Sequence, residues 1–372
     1  MPTPPEIHYV ARASREHPRH GGADMVELAD GSIFMLKMLI HESDLDQGAG
    51  DDAPSDLVTL RSTDSGRTWS DSTVFLQPGP DETAAYTPGL LRLQDGRILL
   101  RYEMYHKFVV NEPFSISSYA CLSSDECTTF SEPVAIWSRS SNLCGSMNDL
   151  RQLSTGRIVI PTCHMEGTAL QEEGEGYLAP TNTSVAGTFY SDDNGLTWHG
   201  CDNYVYLPMR GCMEPKIEEL EDGRVMMVMR TQLGSLFQSF SDDGGASWSQ
   251  PQTSGLHAPE SCPLLMRIPQ TDDLLLIYND STYDPKFDHY GVRSPLTMAV
   301  SSDSGVTWAI RKNIETAPEW EFTNPAAIIT RDNNVVVAYE ASPYASLEHP
   351  GQLGRTEMNL KLAIIDIDWL YS

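Results

Sequence analysis

An octapeptide that occurs four times is the feature of this sequence that most limits its fold. The copies read STDSGRTW, SDDNGLTW, SDDGGASW and SSDSGVTW, at 62–69, 191–198, 241–248 and 301–308, and a decayed copy, SSDECTTF, begins at Ser123. Its Asp and Ser or Thr side chains can bond their own turn backbone, its Gly supplies an unusual φ, and its Trp can pack under the turn. We therefore interpret the octapeptide as a structural turn and not as a catalytic motif.

A second motif keeps the same spacing and predicts a β-hairpin in each repeat. LADGS, LQDGR, LSTGR and LEDGR stand at 28–32, 93–97, 153–157 and 220–224, with weaker relatives IPQTDDL at 268–274 and TRDNNV at 330–335. Strand-like runs flank each motif, and Asp-Gly between such runs favours a tight turn because both residues tolerate positive φ. The chain thus contains six units, each with a central hairpin.

The octapeptide turn adds a second hairpin, so each unit is predicted to be a four-stranded sheet. Six such sheets, none able to bury both faces alone, predict an all-β, six-bladed β-propeller. Helical folds are disfavoured, since no stretch holds a 3.6-residue apolar stripe beyond a few turns. We expect segments 6–12 and 360–370 to pair and close the ring, because an open ring exposes strand edges. No internal linker divides the chain, so residues 1–372 are predicted to form one domain.

The net charge and the cysteine content limit the classes of partner and cofactor that the protein is expected to bind. With 52 acidic against 25 basic residues the formal charge is −27, which repels nucleic acid and anionic membrane surfaces. The seven cysteines form no CxxC pair, so neither a disulfide framework nor a zinc site is indicated, and no motif for a metal or nucleotide cofactor is present. No targeting or membrane-spanning segment is recognisable, so we expect a cytoplasmic protein. An oligomer is left open.

The octapeptide also resembles the Asp-box, or bacterial neuraminidase repeat, of sialidases and their relatives. Four intact copies at blade-sized spacing extend this resemblance over nearly the whole chain. It implies a propeller whose active site lies at the central axis, on loops and strand ends. Asp-boxes also occur in lyases, other hydrolases and binding proteins, so the function depends on which residues reach the axis.

The segment GCMEPKIEELEDGRVMMVMR, at 211–230, places a carboxylate and a guanidinium on one hairpin. Glu214 precedes one strand and Arg230 ends the other, and antiparallel strands bring both to the same end. The stretch looks like the sialidase segment in which a glutamate, a hairpin and an arginine follow one another. The resemblance implies that Arg230 is one of three arginines that hold the substrate carboxylate, and that Glu214 polarises the nucleophile.

Two further arginines fit such a clamp. Arg19, in HPRHGGADMVELADG, precedes the first hairpin strand as the family's first arginine does, although Arg19-His20-Gly21 replaces the usual Arg-Ile-Pro. Arg293, in GVRSPLTMAVSSDSGVTW, stands where the third is expected. A planar guanidinium can hold a carboxylate through two hydrogen bonds, which lysine cannot. We expect the three side chains to converge on one anionic ligand. If they pointed to different places, or if each already had its own internal partner, the hydrolase assignment would fall and only the architecture would stand.

A general acid is expected in the loop HESDLDQGAGDDAPSDLVTL, at 41–60. The loop resembles the sialidase loop that carries the acid/base aspartate, where Asp-Ala-Pro also occurs in some members. Asp52 is the first candidate and Asp51 the second. Because an exposed aspartate has a pKa of about 4, the site would have to raise that pKa by desolvation or a nearby negative charge.

The sequence departs from the family at the nucleophilic tyrosine. Counting 15 residues back from Tyr339 of the Tyr-Glu pair, where the resemblance implies the nucleophile, leads to Asn324. Neither its amide nor the ring of the nearby Phe322 can replace a phenol. Another residue could attack, with Tyr283 and Tyr290 as candidates.

Direct attack by water is the alternative, in an inverting arrangement with Glu214 as base and Asp52 as acid. A different reaction on the same acidic sugar is the third option. Other polar residues flank the hairpins as Glu214 and Arg230 do and are candidates for binding substrate. They are Asp149 beside Asn148, His164, His41, Asn324 and the pair Asn279-Asp280.

The sequence therefore predicts a glycoside hydrolase that acts on a carboxylated sugar at a chain end. In this interpretation the arginines fix the carboxylate, Asp52 protonates the leaving oxygen and Glu214 assists attack. A uronate-sugar lyase is the alternative enzyme, in which a histidine or tyrosine removes the α-proton. A carbohydrate-binding propeller without turnover is the alternative that is not an enzyme.

Overall fold

The computed structural model describes residues 3–42, 53–107, 115–140, 142–143, 147–166, 183–287, 289–344 and 357–372. The first nine strands are β1 (Glu6–Ala11), β2 (Arg19–Glu27), β3 (Ile33–Ile40), β4 (Ser55–Ser62), β5 (Thr73–Leu76), β6 (Glu82–Arg92), β7 (Ile98–His106), β8 (Ile116–Ser123) and β9 (Val134–Ser140). The next nine are β10 (Asn142–Leu143), β11 (Arg151–Gln152), β12 (Ile158–Glu166), β13 (Thr183–Ser191), β14 (His199–Gly200), β15 (Met213–Glu219), β16 (Val225–Arg230), β17 (Ser235–Ser241) and β18 (Gln252–His257). The last elements are β19 (Leu264–Arg267), β20 (Leu274–Asn279), β21 (Leu296–Ser301), β22 (Ile310–Glu315), β23 (Trp320–Ile329), β24 (Asn334–Pro343), β25 (Asn359–Asp366) and helix α1 (Ile367–Leu370).

All six predicted hairpins are present. They are the antiparallel pairs β2–β3, β6–β7, β11–β12, β15–β16, β19–β20 and β23–β24. Each turn is closed by a backbone hydrogen bond, such as Leu93 N–H to the carbonyl of Arg97 at 2.8 Å. The two motifs without glycine place Asp272 and Asn333 at φ of 65° and 60°, so acidic and amide residues replace glycine where positive φ is required.

Each octapeptide is a closed hydrogen-bonded turn. In the second copy the Asp193 carboxylate accepts from Thr197 N–H at 2.8 Å and from its hydroxyl at 2.6 Å, while Ser191 Oγ accepts from Gly195 N–H at 2.8 Å. The decayed copy keeps this pattern, because Cys127 adopts the positive φ of the missing glycine, at 63°. The structural interpretation of the repeat is confirmed.

The strands form an all-β, propeller-like arrangement of five hydrogen-bonded sheets. The sheets are β1-β25-β24-β23, β10-β12-β13-β14 with β11, β15-β16-β17-β18, β19-β20-β21-β22, and an eight-stranded sheet from β2 to β9. The first strands of neighbouring units lie against one another, since β2 contacts β6 and β23, and β19 contacts β15 and β23. These first strands therefore surround the centre of the molecule.

The core lies between adjacent sheets, because each sheet is apolar on both faces. Between the first and last units, for example, Met25 and Met35 pack against Val336 and Leu362, all of them nearly inaccessible to water. Burial of such apolar surface is the main force that holds the sheets around the centre.

The two ends of the chain meet in one sheet, as predicted. β1 pairs with β25 in antiparallel register, with Glu6 opposite Ile364. The predicted strand to residue 370 is too long, because Asp366 accepts the N–H of Asp368 at 2.8 Å and starts α1 instead. Among the described residues, no helix has the length and apolarity that crossing a bilayer requires.

Candidate active site

One position recurs in five of the units, within the first strand of four of them and just before the first strand, β19, of the fifth. It lies six residues before the residue whose N–H closes the hairpin turn, which is Leu28, Leu93, Leu220, Ile268 or Thr330. The residues at this position, called the bulge position below, are Gly22, Thr87, Glu214, Cys262 and Asn324. All except Cys262 have positive φ, between 35° and 53°, and lie where the strand pairing shifts register. Strained backbone of this kind clusters at functional sites.

Glu214 is held between a guanidinium and a thiol. Its Oε2 accepts a hydrogen bond from Arg230 Nη1 at 2.6 Å, as the shared hairpin predicts. The same oxygen accepts from the thiol of Cys262, in the next unit, at 2.5 Å. The side chains of Glu214 and Arg230 are only 14% and 8% exposed, so little water screens their attraction.

A second carboxylate, Glu260, is fully buried and is surrounded by basic side chains. Its Oε1 lies 2.8 Å from Arg210 Nη1 and 3.6 Å from Arg230 Nη2, and Gln232 donates to its Oε2 at 3.2 Å. Burial by itself raises the pKa of Glu260, but the charge of Arg230, a hydrogen bond from His289 and the charge of Arg210 outweigh it. The pKa of Glu260 therefore lies well below its usual range, and the group is ionised at neutral pH.

The guanidinium of Arg293 contacts the backbone of Glu260 instead of its carboxylate. Its Nη2 and Nε donate to the carbonyl oxygen of Glu260 at 2.8 and 3.3 Å. Its Nη1 lies 3.8 Å from the carboxylate of Glu321, on β23. Arg230 and Arg293 thus meet at one residue, although they come from different units.

Arg19 pairs with Glu340 on β24, with 3.2 Å between Nη2 and Oε2. The other oxygen of Glu340 accepts from the N–H of Gly22 at 3.0 Å and from the amide of Asn324 at 2.9 Å. A Cβ on Gly21 would overlap the Glu340 carboxylate. The glycine that replaces the family's proline after Arg19 therefore permits this close approach.

The structure divides the three predicted arginines into two groups. Arg230 and Arg293 meet at Glu260, whereas Arg19 lies on Glu340. β23 connects the groups, because it carries both Glu321 and Asn324. Each arginine has a carboxylate partner inside the protein, and Arg19 lies apart from the other two. Both findings are contrary to the conditions set above for the hydrolase assignment, so a role of the arginines in binding a ligand stays a prediction.

Two of the other predicted residues pair with charged side chains elsewhere. Asp149 Oδ2 lies 2.7 Å from Arg101 Nη2, and both side chains are fully buried. His41 Nε2 lies 3.1 Å from the carboxylate of Asp56. These contacts explain why both residues are held in place, and a role in binding substrate stays a prediction for each.

The ring of His164, near the C-terminal end of β12, lies 5.9 Å from that of Tyr204. Tyr283 and Tyr290, the two tyrosines considered as nucleophiles, stack on each other at 5.7 Å. The acid candidates Asp51-Asp52 lie outside the described residues. The assignment of an acid to that loop therefore stays a prediction.

Sequence reasoning missed Glu260, Cys262 and Arg210. A signal was present, because Cys262 precedes Ile268 by the same six residues that separate Glu214 from Leu220, and proline follows both. Glu260 stands two residues before Cys262, so an extended chain directs both side chains to the same side. The atypical turn at IPQTDDL, which lacks Asp-Gly, concealed the equivalence.

Comparison with known proteins gives a family. The model described as the BNR repeat-like domain matches residues 47–337. A sialidase of Bacteroides fragilis is 27% identical over 165 residues, which are 42% of this chain. The aligned part spans only 26% of that relative's length.

Solved structures share the fold over nearly the whole chain. A protein of unknown function from Dyadobacter fermentans has a TM-score of 0.72 at 17% identity, over 97% of this chain and 99% of its own. A Hadza microbial sialidase has a TM-score of 0.71 at 19% identity, over 95% and 67%. A leech intramolecular trans-sialidase has a TM-score of 0.67 at 16% identity, over 98% and 70%. At such low identity these likenesses establish the fold alone.

Proposed function

The chain belongs to the BNR repeat-like domain family, among the sialidase-like proteins, and on this premise we propose that it is a glycoside hydrolase that cleaves a terminal carboxylated sugar, such as a sialic acid. The observation that carries the proposal is the meeting of Arg230 and Arg293 at Glu260, with Glu214 bound to Arg230. Cationic groups suited to an anion thus stand beside a carboxylate suited to assist attack.

The proposal includes six blades around one axis. The eight-stranded sheet consists of two four-stranded meanders, β2 to β5 and β6 to β9, that join through the pair Ser55 and Ala84. Counting each meander as one blade gives six, in agreement with the six hairpin motifs. The bulge positions then line the end of the axis where the substrate binds.

Internal partners leave hydrogen-bond donors for a ligand. A guanidinium has five N–H donors, and Arg230 Nε has no hydrogen-bond partner among the residues that the structure describes. Buried charges must be balanced when no ligand is bound, and the glutamates beside Arg19, Arg230 and Arg293 provide that balance. A substrate carboxylate would bind the remaining donors and compete with these glutamates.

The chemistry in this proposal needs an acid and an assisted nucleophile. Glu214 is the carboxylate placed to take a proton from the attacking group, because Arg230 of its own hairpin holds it and it lies within hydrogen-bond reach of a donor in the next unit. Asp52 remains the predicted acid for the leaving oxygen. Asn324 binds Glu340 through its amide, so it holds the partner of Arg19 in place and takes no part as a nucleophile.

The test is a panel of 4-nitrophenyl glycosides of carboxylated and neutral sugars. We expect release of nitrophenol from a carboxylated glycoside and none from its neutral counterpart. Arg230→Lys should lower kcat/KM by about 10- to 100-fold, because a charged hydrogen bond contributes about 1.5–3 kcal/mol. Arg224→Lys, on the same hairpin but paired with Asp222 at the surface, is the matched control and should leave the rate unchanged.

Other outcomes would replace the proposal. A product with a new ultraviolet-absorbing double bond would identify a lyase. Tight binding of an acidic glycoside by calorimetry without any product would identify a carbohydrate-binding propeller. Equal turnover of neutral and carboxylated sugars would remove the arginines from substrate recognition.

A further inference from the structure

We propose that Cys262 is the nucleophile of this site, attacking the anomeric carbon to form a covalent thioglycosyl intermediate; the proposal rests on the proposed glycosidase function. Hydrolysis would then proceed with retention of configuration. No tyrosine stands at the position where the family resemblance implies the nucleophile, and a thiol stands at an equivalent position of another unit.

The position of Cys262 in its unit is the first argument. It stands six residues before Ile268, as Glu214 stands before Leu220 and Asn324 before Thr330, although its own φ is not positive and it precedes β19 instead of lying within it. Proline follows all three residues. The count places the thiol just before the first strand of its unit, and its hydrogen bond to Glu214 shows that the two side chains meet.

The contacts of Cys262 are the second argument. A nucleophile within hydrogen-bond reach of a base that a third group orients is the arrangement expected for covalent catalysis. Here the thiol donates to Glu214 Oε2 at 2.5 Å, and Arg230 Nη1 holds that oxygen at 2.6 Å. Arg230 as a residue is 7% exposed, and its Nε has no hydrogen-bond partner among the described residues. The guanidinium that orients Glu214 therefore also retains a donor for an anionic ligand.

The protonation state of the thiol fits a base-assisted attack. Burial, and next the negative charge of Glu214, raise the pKa of Cys262 well above its ordinary value. The resting group is therefore a thiol, protected from adventitious thiolate chemistry. It becomes a nucleophile when Glu214 takes its proton.

The reaction balances in two steps. In the first, the Cys262 proton moves to Glu214, sulfur forms a bond to the anomeric carbon, and the bond from that carbon to the leaving oxygen breaks. A nitrophenolate leaves without needing a proton, whereas a natural alcohol takes one from the general acid. In the second, water forms the new C–O bond and gives up a proton to the conjugate base of that acid or to solvent. The C–S bond breaks, and the sulfur regains its proton from Glu214.

The experiment traps the intermediate on the wild-type protein. In a carboxylated glycosyl fluoride with a second fluorine beside the anomeric carbon, that second fluorine slows both steps because it destabilises their oxocarbenium-like transition states. The anomeric fluoride is a good leaving group, so the intermediate still forms faster than it is hydrolysed. We expect a mass increase of one glycosyl group, located by peptide mapping on Cys262. Proton NMR of the first product released from the nitrophenyl glycoside should show the retained anomer.

Variants give a second measurement. Cys262→Ala should lower kcat by about 10³-fold or more, as loss of a nucleophile does. Cys121→Ala removes another buried thiol, in the core of the second unit, and should leave kcat unchanged. Circular dichroism verifies that both variants fold, and the trapping experiment decides the question alone if Cys262→Ala does not.

The outcomes separate this proposal from the one on which it rests. Wild-type hydrolysis with inversion, a label on any residue other than Cys262, or full activity of a folded Cys262→Ala variant would overturn the nucleophile and leave the glycosidase standing. Failure of the wild-type protein to cleave any carboxylated glycoside would overturn both.

Discussion

Replacing Glu260 by glutamine tests whether its charge holds the arginines together. The substitution keeps the shape of the side chain and its ability to accept a hydrogen bond, but it removes the negative charge that lies 2.8 Å from Arg210 and 3.6 Å from Arg230. Because Glu260 is completely buried, water cannot replace the lost interaction.

The contacts set the size of the effect. Removing one partner of a buried ion pair costs about 3–5 kcal/mol, whereas an exposed pair contributes about 0–1 kcal/mol. Arg230 keeps its 2.6 Å bond to Glu214, and Arg210 is 24% exposed and can reach water. We therefore expect Glu260→Gln to lower the free energy of unfolding by about 3 kcal/mol, the lower end of the buried range.

Urea unfolding at pH 7, followed by tryptophan fluorescence and circular dichroism, measures the change, and coincident transitions are required for a two-state free energy. Glu6→Gln is the matched control, since Glu6 pairs with Arg67 at 3.0 Å but both side chains are more than 40% exposed. It should lower stability by less than about 1 kcal/mol. A Glu260→Gln variant as stable as Glu6→Gln would refute the idea that Glu260 is the shared counter-charge of the arginines.

Three further outcomes are expected. Asp193→Ala removes the acceptor for four hydrogen bonds in the second octapeptide and should cost about 1–2 kcal/mol in urea unfolding, whereas an unchanged midpoint would contradict the structural role of the repeat. Burial lowers the pKa of Lys37, whose Nζ lies 3.1 Å from Nδ1 of His20, to about 7. Between pH 7 and about 10 the unfolded chain therefore binds a proton at Lys37 that the folded chain does not bind, so the free energy of unfolding should rise with pH. Lys37→Met should reduce that slope, and an unaltered slope in the variant would show that Lys37 stays charged. Gly21→Ala places a methyl group against the Glu340 carboxylate and should raise KM for a carboxylated glycoside with little change in kcat, because it displaces the partner of Arg19; an unchanged KM would separate Arg19 from substrate binding.

The hairpins could be predicted from the sequence because each depends on a few adjacent residues. Asp-Gly fixes a turn through its own backbone, and the octapeptide satisfies its hydrogen bonds within eight residues. Local information also placed Arg230 beside Glu214, since one hairpin carries both. The predicted end of the last strand was wrong for a related reason. A single carboxylate, Asp366, can start a helix where the apolar pattern predicts a strand.

The ion pairs between units could not be predicted in the same way. Arg19 and Glu340 stand at opposite ends of the sequence, and Glu260 meets Arg230 only because two sheets pack side by side. Such contacts depend on the rotation between neighbouring sheets, which no local motif encodes. The arginines and Glu214 were identified from the sequence, whereas the carboxylate partners from other units, Glu260, Glu321 and Glu340, were not.

The bulge position has a consequence for how such a molecule can acquire new chemistry. Threonine, glutamate and asparagine occupy it in three units on closely similar backbones, and cysteine occupies it in a fourth unit without the positive φ. A side chain there can change without disturbing the apolar contacts between the sheets, which involve other residues. A handful of single-residue exchanges could therefore turn one scaffold from hydrolysis to elimination or to mere recognition, which is why ancestry alone is a weak guide to what such a protein does.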